Sequence, residues 1–231
     1  MTKGFLLVAT IHKKYLTAAQ FLADSLKEYT NHSVTLFTED DWVNDSGNSI
    51  FDNVYGGAPH SSRAKLWALD KTPYDITCYL DADMVCEHED VKDIFKQLPK
   101  DKDLIFTKIR PYNAKITKLT NTEEMTAHCG MFLYRNNKQT LKLMNSWYGE
   151  FLYQQDGKND IGNYPDSVRK WATFTMWKLL NYSDHGVKWA EDLHCRWNFV
   201  NGYQEEELGD QERVMYHYTI PEFEIHSKNQ S

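Results

Sequence analysis

The chain has 231 residues, 41% of them hydrophobic and 14% aromatic, and a formal net charge of −7. That length is enough for one domain with a sizeable core, and the acidic balance gives no electrostatic footprint for nucleic acid or an anionic membrane. Phe5 to Ala9 is too short for the core of a signal peptide, and no later apolar stretch could span a bilayer, so a soluble, cytoplasmic protein is expected.

Gly4 to Thr10 (GFLLVAT) has the length and content of a buried first strand. Leu16, Ala19, Leu22, Leu26 and Tyr29 recur at helical spacing over Tyr15 to Tyr29, and Ser33 to Thr38 reads as a second strand. Strand, helix, strand is a βαβ opening and predicts an α/β fold, a mostly parallel sheet flanked by helices. The second strand runs into Glu39-Asp40-Asp41-Trp42, a carboxylate cluster at the end where such sheets bind ligands, though a solvated turn has the same composition. Asn44 to His60 is rich in Gly, Asn, Asp and Ser and reads as loop. Ser61 or Ser62 then caps a helix that buries Ala64, Leu66, Trp67, Ala68 and Leu69, with Arg63 and Lys65 near its start facing any anion in the adjoining cleft.

Ile76 to Leu80 is the predicted central strand, and it ends in Asp81-Ala82-Asp83. Side chains two apart on an extended backbone point the same way, so the two carboxylates converge on one cation or phosphate. Unpaired, they repel each other and resist burial, and a divalent ion is the natural group to hold them together. Glu89 to Leu98 reads as an amphipathic helix, Leu104 to Thr107 and Cys129 to Tyr134 as strands, and Leu141 to Tyr153 as a helix. Ile109 to Ala127 has no clear period, and Gln154 to Asp166 is loop. Val168 to Tyr182 is an aromatic-rich helix whose Trp171, Phe174, Met176 and Trp177 belong to the core. Val214 to Ile220 is a last short strand with His217 at its centre, followed by a polar tail, 221–231. The four cysteines match no zinc or C-x-x-C pattern and read as reduced thiols.

In this order the parts resemble the GT-A nucleotide-sugar glycosyltransferases, and within them the family 8 or glycogenin-like group. The likeness is carried by the V-A-T strand and the helix with Tyr15, by Lys65-Leu66-x-x-Leu69, by Tyr79-Leu80-Asp81-Ala82-Asp83 and by His217. Cys129 to Tyr134 resembles that group's N-x-G-x-hydrophobic strand, and Trp197-Asn198 its W-N or Y-N segment. The resemblance runs from about residue 4 to residue 220 and implies one GT-A domain, with a nucleotide-binding half at 1–108 and an acceptor-side half at 109–220. It implies hexosyl transfer from a nucleotide diphosphate sugar, a UDP-sugar, to a hydroxyl of a glycan, protein or small-molecule acceptor.

Carried onto this sequence, the resemblance makes Asp83 and His217 ligands of a divalent metal, with Asp81 on the same metal or bridging it to the ribose. Such a mixed N/O set suits Mn²⁺, with Mg²⁺ as the alternative. Lys65 contacts phosphate with Arg63 nearby, Thr10 and Tyr15 face the nucleobase, and Asp40 approaches base or ribose. Two features depart from the family 8 pattern: its Asp-Gln pair is missing from Tyr164 to Phe174, where Asp166-Ser167 stands, and His128 or Cys129 occupies the N-x-G position. Glu191-Asp192 resembles the base element of family 2 transferases, which makes Asp192 the candidate general base of an inverting reaction. A retaining reaction needs no such base. The rival readings are a haloacid-dehalogenase-like Mg²⁺-dependent phosphatase with Asp81 as nucleophile, and a non-catalytic carbohydrate-binding relative of the transferases.

Overall fold

The computed structural model describes residues 1–108, 125–158, 161 and 164–218. Strand β1 (Lys3–Ala9) is apolar on both faces, and both are covered: Phe5, Leu7 and Ala9 pack to one side of the sheet, Leu6 to the other. Helix α1 (Lys13–Tyr29) starts at His12, whose Nδ1 accepts from the Lys14 N–H, and lays Leu16, Ala19, Leu22 and Leu26 on the Phe5 side. Strand β2 (Ser33–Thr38) returns parallel to β1, completing the expected βαβ unit.

The stretch read as loop between Asn44 and His60 carries a 3₁₀ turn at Ser46–Ile50 and a short edge strand, β3 (Asn53–Tyr55), parallel to β2. Helix α2 (Ala64–Ala68) is short, and β4 (Ile76–Leu80), buried at all five positions, runs parallel to β1 on its other side. The chain then bends through Asp81–Asp83 and leaves the main sheet: among the described residues β5 (Met84–Cys86) pairs with β9 (Met215–His217) alone, antiparallel, in a separate two-stranded ladder. Glu89–Lys96 keeps the predicted amphipathic burial, Val91, Ile94 and Phe95 inward, but winds as a 3₁₀ helix rather than an α-helix.

Strands β6 (Leu104–Lys108), β7 (Ala127–Arg135) and β8 (Trp189–Leu193) complete a seven-stranded sheet of order β3-β2-β1-β4-β7-β6-β8 among the described residues. All its strands run parallel except β7, which is antiparallel to both neighbours. Helices α3 (Lys138–Gln155) and α4 (Ala172–Tyr182) cover the face opposite α1, joined through the fully buried Trp147, whose indole N–H donates to the Ala172 carbonyl at 2.8 Å. The predicted helix at Val168–Tyr182 is interrupted: Asp166–Lys170 is a 3₁₀ turn, and Trp171 is extended at φ −104°, ψ 108°. The patternless excursion expected at Ile109 to Ala127 lies, as far as residue 124, outside the described residues, as does the tail 221–231. Among the described residues no helix is long and apolar enough to cross a membrane.

The β6–β7 ladder slips at one point. Phe106 of β6 pairs with Phe132 of β7, but the next residue, Thr107, pairs with His128, so residues 129–131 of β7 bulge out of that ladder. The bulge sits beside the end of β4, where the Asp81 N–H donates to the Gly130 carbonyl at 2.8 Å.

Candidate active site

Because β1 and β4 are parallel neighbours, their carboxyl ends open side by side, and a cleft of about 210 Å³ lies there. Thr10 and Tyr15 form one wall, Arg63 and Lys65 enter from α2, and Tyr79, Asp81 and Asp83 come from the end of β4. The Lys65 ammonium donates to Asp81 Oδ1 at 2.8 Å and to the Cys129 carbonyl at 2.9 Å, the latter exposed by the β7 bulge. The Tyr79 hydroxyl donates to the same Oδ1 at 2.7 Å, leaving Oδ2 turned towards Gly130. Burial pushes the Asp81 carboxyl up, but the Lys65 ammonium, His217 and the hydrogen bonds from Lys65 and Tyr79 outweigh it and hold it below the usual carboxylate range. Burial, with the Asp81 charge beside it, keeps the Tyr79 phenol well above its usual value, so it stays protonated and donates to Asp81.

His217 arrives from the other end of the chain. It is the ladder partner of Met84, the residue after Asp83, and its Nε2 lies 3.2 Å from Asp83 Oδ1. Asp81, Asp83 and His217 each offer one donor atom, all within 4.8 Å of one another. Two carboxylates and an imidazole at that spacing could hold a divalent ion. An anionic carboxylate facing an imidazole nitrogen across 3.2 Å itself calls for a cation or a proton between them.

The other sequence candidates fall outside this cluster. Asp40 lies in a 3₁₀ turn, and its Oδ1 accepts from the Gly57 N–H at 2.7 Å; it does not line the cleft. Its neighbour Glu39 does approach the mouth, accepting from the Ile11 N–H at 2.5 Å and meeting His60 Nδ1 at 2.9 Å. Ile11 stands there at φ +73°, a left-handed backbone that a β-branched residue adopts only under strain. Asp192 is exposed on β8 and does not line the cleft, while Glu191 accepts from Thr126. The four cysteines are free and buried, and burial pushes Cys129 up to about 11 and Cys86 and Cys195 up to about 12, so these thiols stay protonated.

Three residues that sequence reasoning did not place in the site belong to it. Gly130 leaves no room for a side chain: a Cβ there would stand 2.6 Å from His128 Cε1, 2.9 Å from Asp81 Oδ2 and 3.0 Å from His217 Cε1. His128 and Asn198 lie beneath His217, buried and hydrogen-bonded to each other. The sequence signal for Asn198 was the likeness of Trp197-Asn198 to the W-N or Y-N segment of the family 8 group. Past Arg63 a second cavity of about 430 Å³ shares Ser62 and Arg63 with the first and reaches Asp166, Arg169 and Lys170.

No family model and no curated protein sequence matches the chain. Solved structures do. The glycosyltransferase GlyE of Streptococcus pneumoniae TIGR4 superposes with TM-score 0.60 and 13% identity over 94% of this chain and 55% of its own. A glycosyltransferase involved in glycosylation of the major capsid of PBCV-1 gives 0.58 and 10%, over 99% of this chain and 100% of its own. The galactosyltransferase LgtC, solved in complex with donor and acceptor sugar analogues, gives 0.53 and 15%, over 93% and 86%. The chain spans about half the length of GlyE. At these identities the likeness is one of fold, and with its mainly parallel sheet and helices on both faces the chain has the GT-A fold on which these glycosyltransferases are built.

Proposed function

We propose that this protein moves a sugar from a nucleotide diphosphate sugar, a UDP-sugar, to a hydroxyl group of an acceptor, as a hexosyltransferase of the family 8, glycogenin-like kind. The observation that carries the reading is the convergence of Asp81, Asp83 and His217 at the mouth of a cleft that also presents Lys65 and Arg63. Open α/β sheets bind their ligands at this end of the strands. In this reading Asp81, Asp83 and His217 hold Mn²⁺, or Mg²⁺ in its place. A divalent ion so held supplies Lewis-acid neutralisation of the charge gathering on a departing nucleoside diphosphate. Lys65 and Arg63 add fixed positive charge for the phosphates, and Thr10 and Tyr15 supply the wall for the base. The adjoining cavity, with Asp166, Arg169 and Lys170 on its rim, is the space left to the acceptor. Asp40, expected at the base or ribose, and Asp192, expected as general base, do not line this cleft.

The phosphatase reading places the D-x-D motif after a first strand, whereas here it follows β4 of a GT-A sheet. The deciding test is calorimetric titration of UDP, with and without Mn²⁺, into wild type and Asp83→Ala. Saturable binding that needs both Mn²⁺ and Asp83 is expected, followed by sugar release from a UDP-sugar. Equal UDP affinity in Asp83→Ala would overturn the site. Metal-dependent UDP binding with no turnover of any UDP-sugar would leave a non-catalytic binding protein.

A further inference from the structure

We infer that Asn198 is the positioning residue that aims the Nε2 lone pair of His217 at the metal, and that Gly130 and His128 fix which way Asn198 faces. The metal part of this inference rests on the site proposed above; the hydrogen-bond orientation does not. The direction of each bond is set by the one before it. The backbone N–H of Gly130 can only donate, and it meets His128 Nδ1 at 3.2 Å, so that nitrogen carries a lone pair. The side-chain amide of Asn198 lies 2.8 Å from the same Nδ1, and a nitrogen without hydrogen requires the NH₂ end of the amide there. That NH₂ group also reaches Thr107 Oγ1 at 2.9 Å; a hydroxyl accepts or donates, so Thr107 agrees with either orientation and decides nothing. With its NH₂ engaged, Asn198 turns Oδ1 to His217 Nδ1 at 2.8 Å, and that nitrogen must carry hydrogen. A neutral imidazole has a single N–H, so the lone pair of His217 is on Nε2, the atom that faces Asp83.

Burial makes the chain of bonds obligatory. Asn198 and Thr107 are 1% exposed and His217 5%, so water does not replace a lost partner, and a reversed amide would set its carbonyl against the lone pair of His128. The slip of the β6–β7 ladder is what brings Thr107 and His128 abreast, with Asn198 reaching both. Gly130, in the same bulge, spends its N–H on the ring of His128.

The test has an affinity arm and a spectroscopic arm. Mn²⁺ is titrated calorimetrically into the full chain as wild type, Asn198→Leu, His128→Leu and His128→Asn. Asn198→Leu is expected to bind Mn²⁺ about 10- to 100-fold more weakly, the range for losing the partner that orients a metal ligand. His128→Leu should also bind more weakly, and His128→Asn more tightly than His128→Leu, because Oδ1 of Asn stands on Cγ where Nδ1 of His does and accepts the same bond. Wild-type Mn²⁺ affinity in Asn198→Leu would overturn the inference. Should that variant fail to fold, ¹⁵N-histidine NMR of the wild type, metal-free and Mg²⁺-loaded in alkaline buffer, decides. Hydrogen on Nδ1 of His217 and a bare Nδ1 on His128 are expected; a bare Nδ1 on His217 or a protonated Nδ1 on His128 overturns the orientation. A wild type that shows these tautomers yet binds no Mn²⁺ would sink the metal site and leave the hydrogen-bond orientation standing.

Discussion

His217 Nε2 comes within 3.2 Å of Asp83 Oδ1 because His217 is the ladder partner of the very next residue, Met84. The contact is therefore made by three pairs in a two-stranded ladder, Met84–His217, Val85–Tyr216 and Cys86–Met215, and not by the main sheet. His217→Ala leaves the backbone pairing of that ladder intact. We expect the variant to fold, with a lowered melting temperature in metal-free buffer because the buried Asn198 Oδ1 loses its donor, and to lose Mn²⁺ affinity measured by calorimetry. Unchanged Mn²⁺ affinity would show that His217 is only a packed side chain.

Gly130 is a tight point of the site, since a Cβ there collides with His128 and Asp81 and crowds His217. Gly130→Ala forces at least one of the three to move. The expected result is a loss of about 1–3 kcal/mol in urea unfolding, the usual range for overpacking, together with weakened Mn²⁺ binding. Wild-type values for both measurements would mean that the bulge yields without disturbing the site.

Asp52 ties the end of α1 to the start of β2, with Oδ2 accepting from Lys27 Nζ at 2.5 Å and from the Val34 N–H at 2.7 Å. Burial works against its charged form, but Lys27 and the Val34 N–H prevail and hold its carboxyl below the usual range. A carboxylate depressed in the folded state stabilises fully above its unfolded pKa, about 3.9, and that contribution is lost as pH falls through the folded value. Asp52→Asn should therefore be less stable than wild type at neutral pH, with the gap closing below about pH 4. Urea unfolding of both proteins across that range checks it; a gap constant with pH would mean the charge of Asp52 contributes nothing.

Gln154, 2% exposed near the end of α3, donates from Nε2 to the carbonyls of Val168 and Arg169 at 2.9 and 3.1 Å and accepts from Thr175 Oγ1 at 2.9 Å. Gln154→Leu leaves the buried Thr175 hydroxyl without its acceptor and takes a donor from the Arg169 carbonyl, while the Val168 carbonyl keeps the Trp171 N–H; an unmet buried group costs about 1–3 kcal/mol. Chemical unfolding should show that loss, and hydrogen exchange should quicken in residues 166–171, of which Asp166, Arg169 and Lys170 line the second cavity. Wild-type stability would mean those groups find water instead.

The βαβ opening was legible in the residues alone. Phe5, Leu7 and the i, i+3, i+4 run of α1 carry periods that only a buried strand and an amphipathic helix satisfy, and β1, α1 and β2 form within two residues of the predicted bounds. Helical spacing did not distinguish an α-helix from a 3₁₀ turn. Glu89–Lys96 buries the predicted face, but its bonds at Val91 and Gln97 run three residues back. The helix expected from Val168 starts instead at Ala172: Asp166–Lys170 closes as a 3₁₀ turn, with the Val168 carbonyl accepting from the Trp171 N–H as well as from Gln154, and Trp171 is extended.

By itself the sequence determined the α/β class and the strand that delivers Asp81 and Asp83, because these are written as local periodicity and as carboxylates at the edge of an apolar run, while Lys65 and His217 became candidates through the order of parts that resembles the GT-A transferases. Tertiary structure decided the rest: the antiparallel direction of β7, the bulge that presents the Cys129 carbonyl to Lys65, the detached β5–β9 ladder, and the Gly130–His128–Asn198–His217 chain of bonds. These depend on which strands lie side by side and in what register. Register is set by side-chain packing between segments far apart in the chain, and no local pattern in either segment records it.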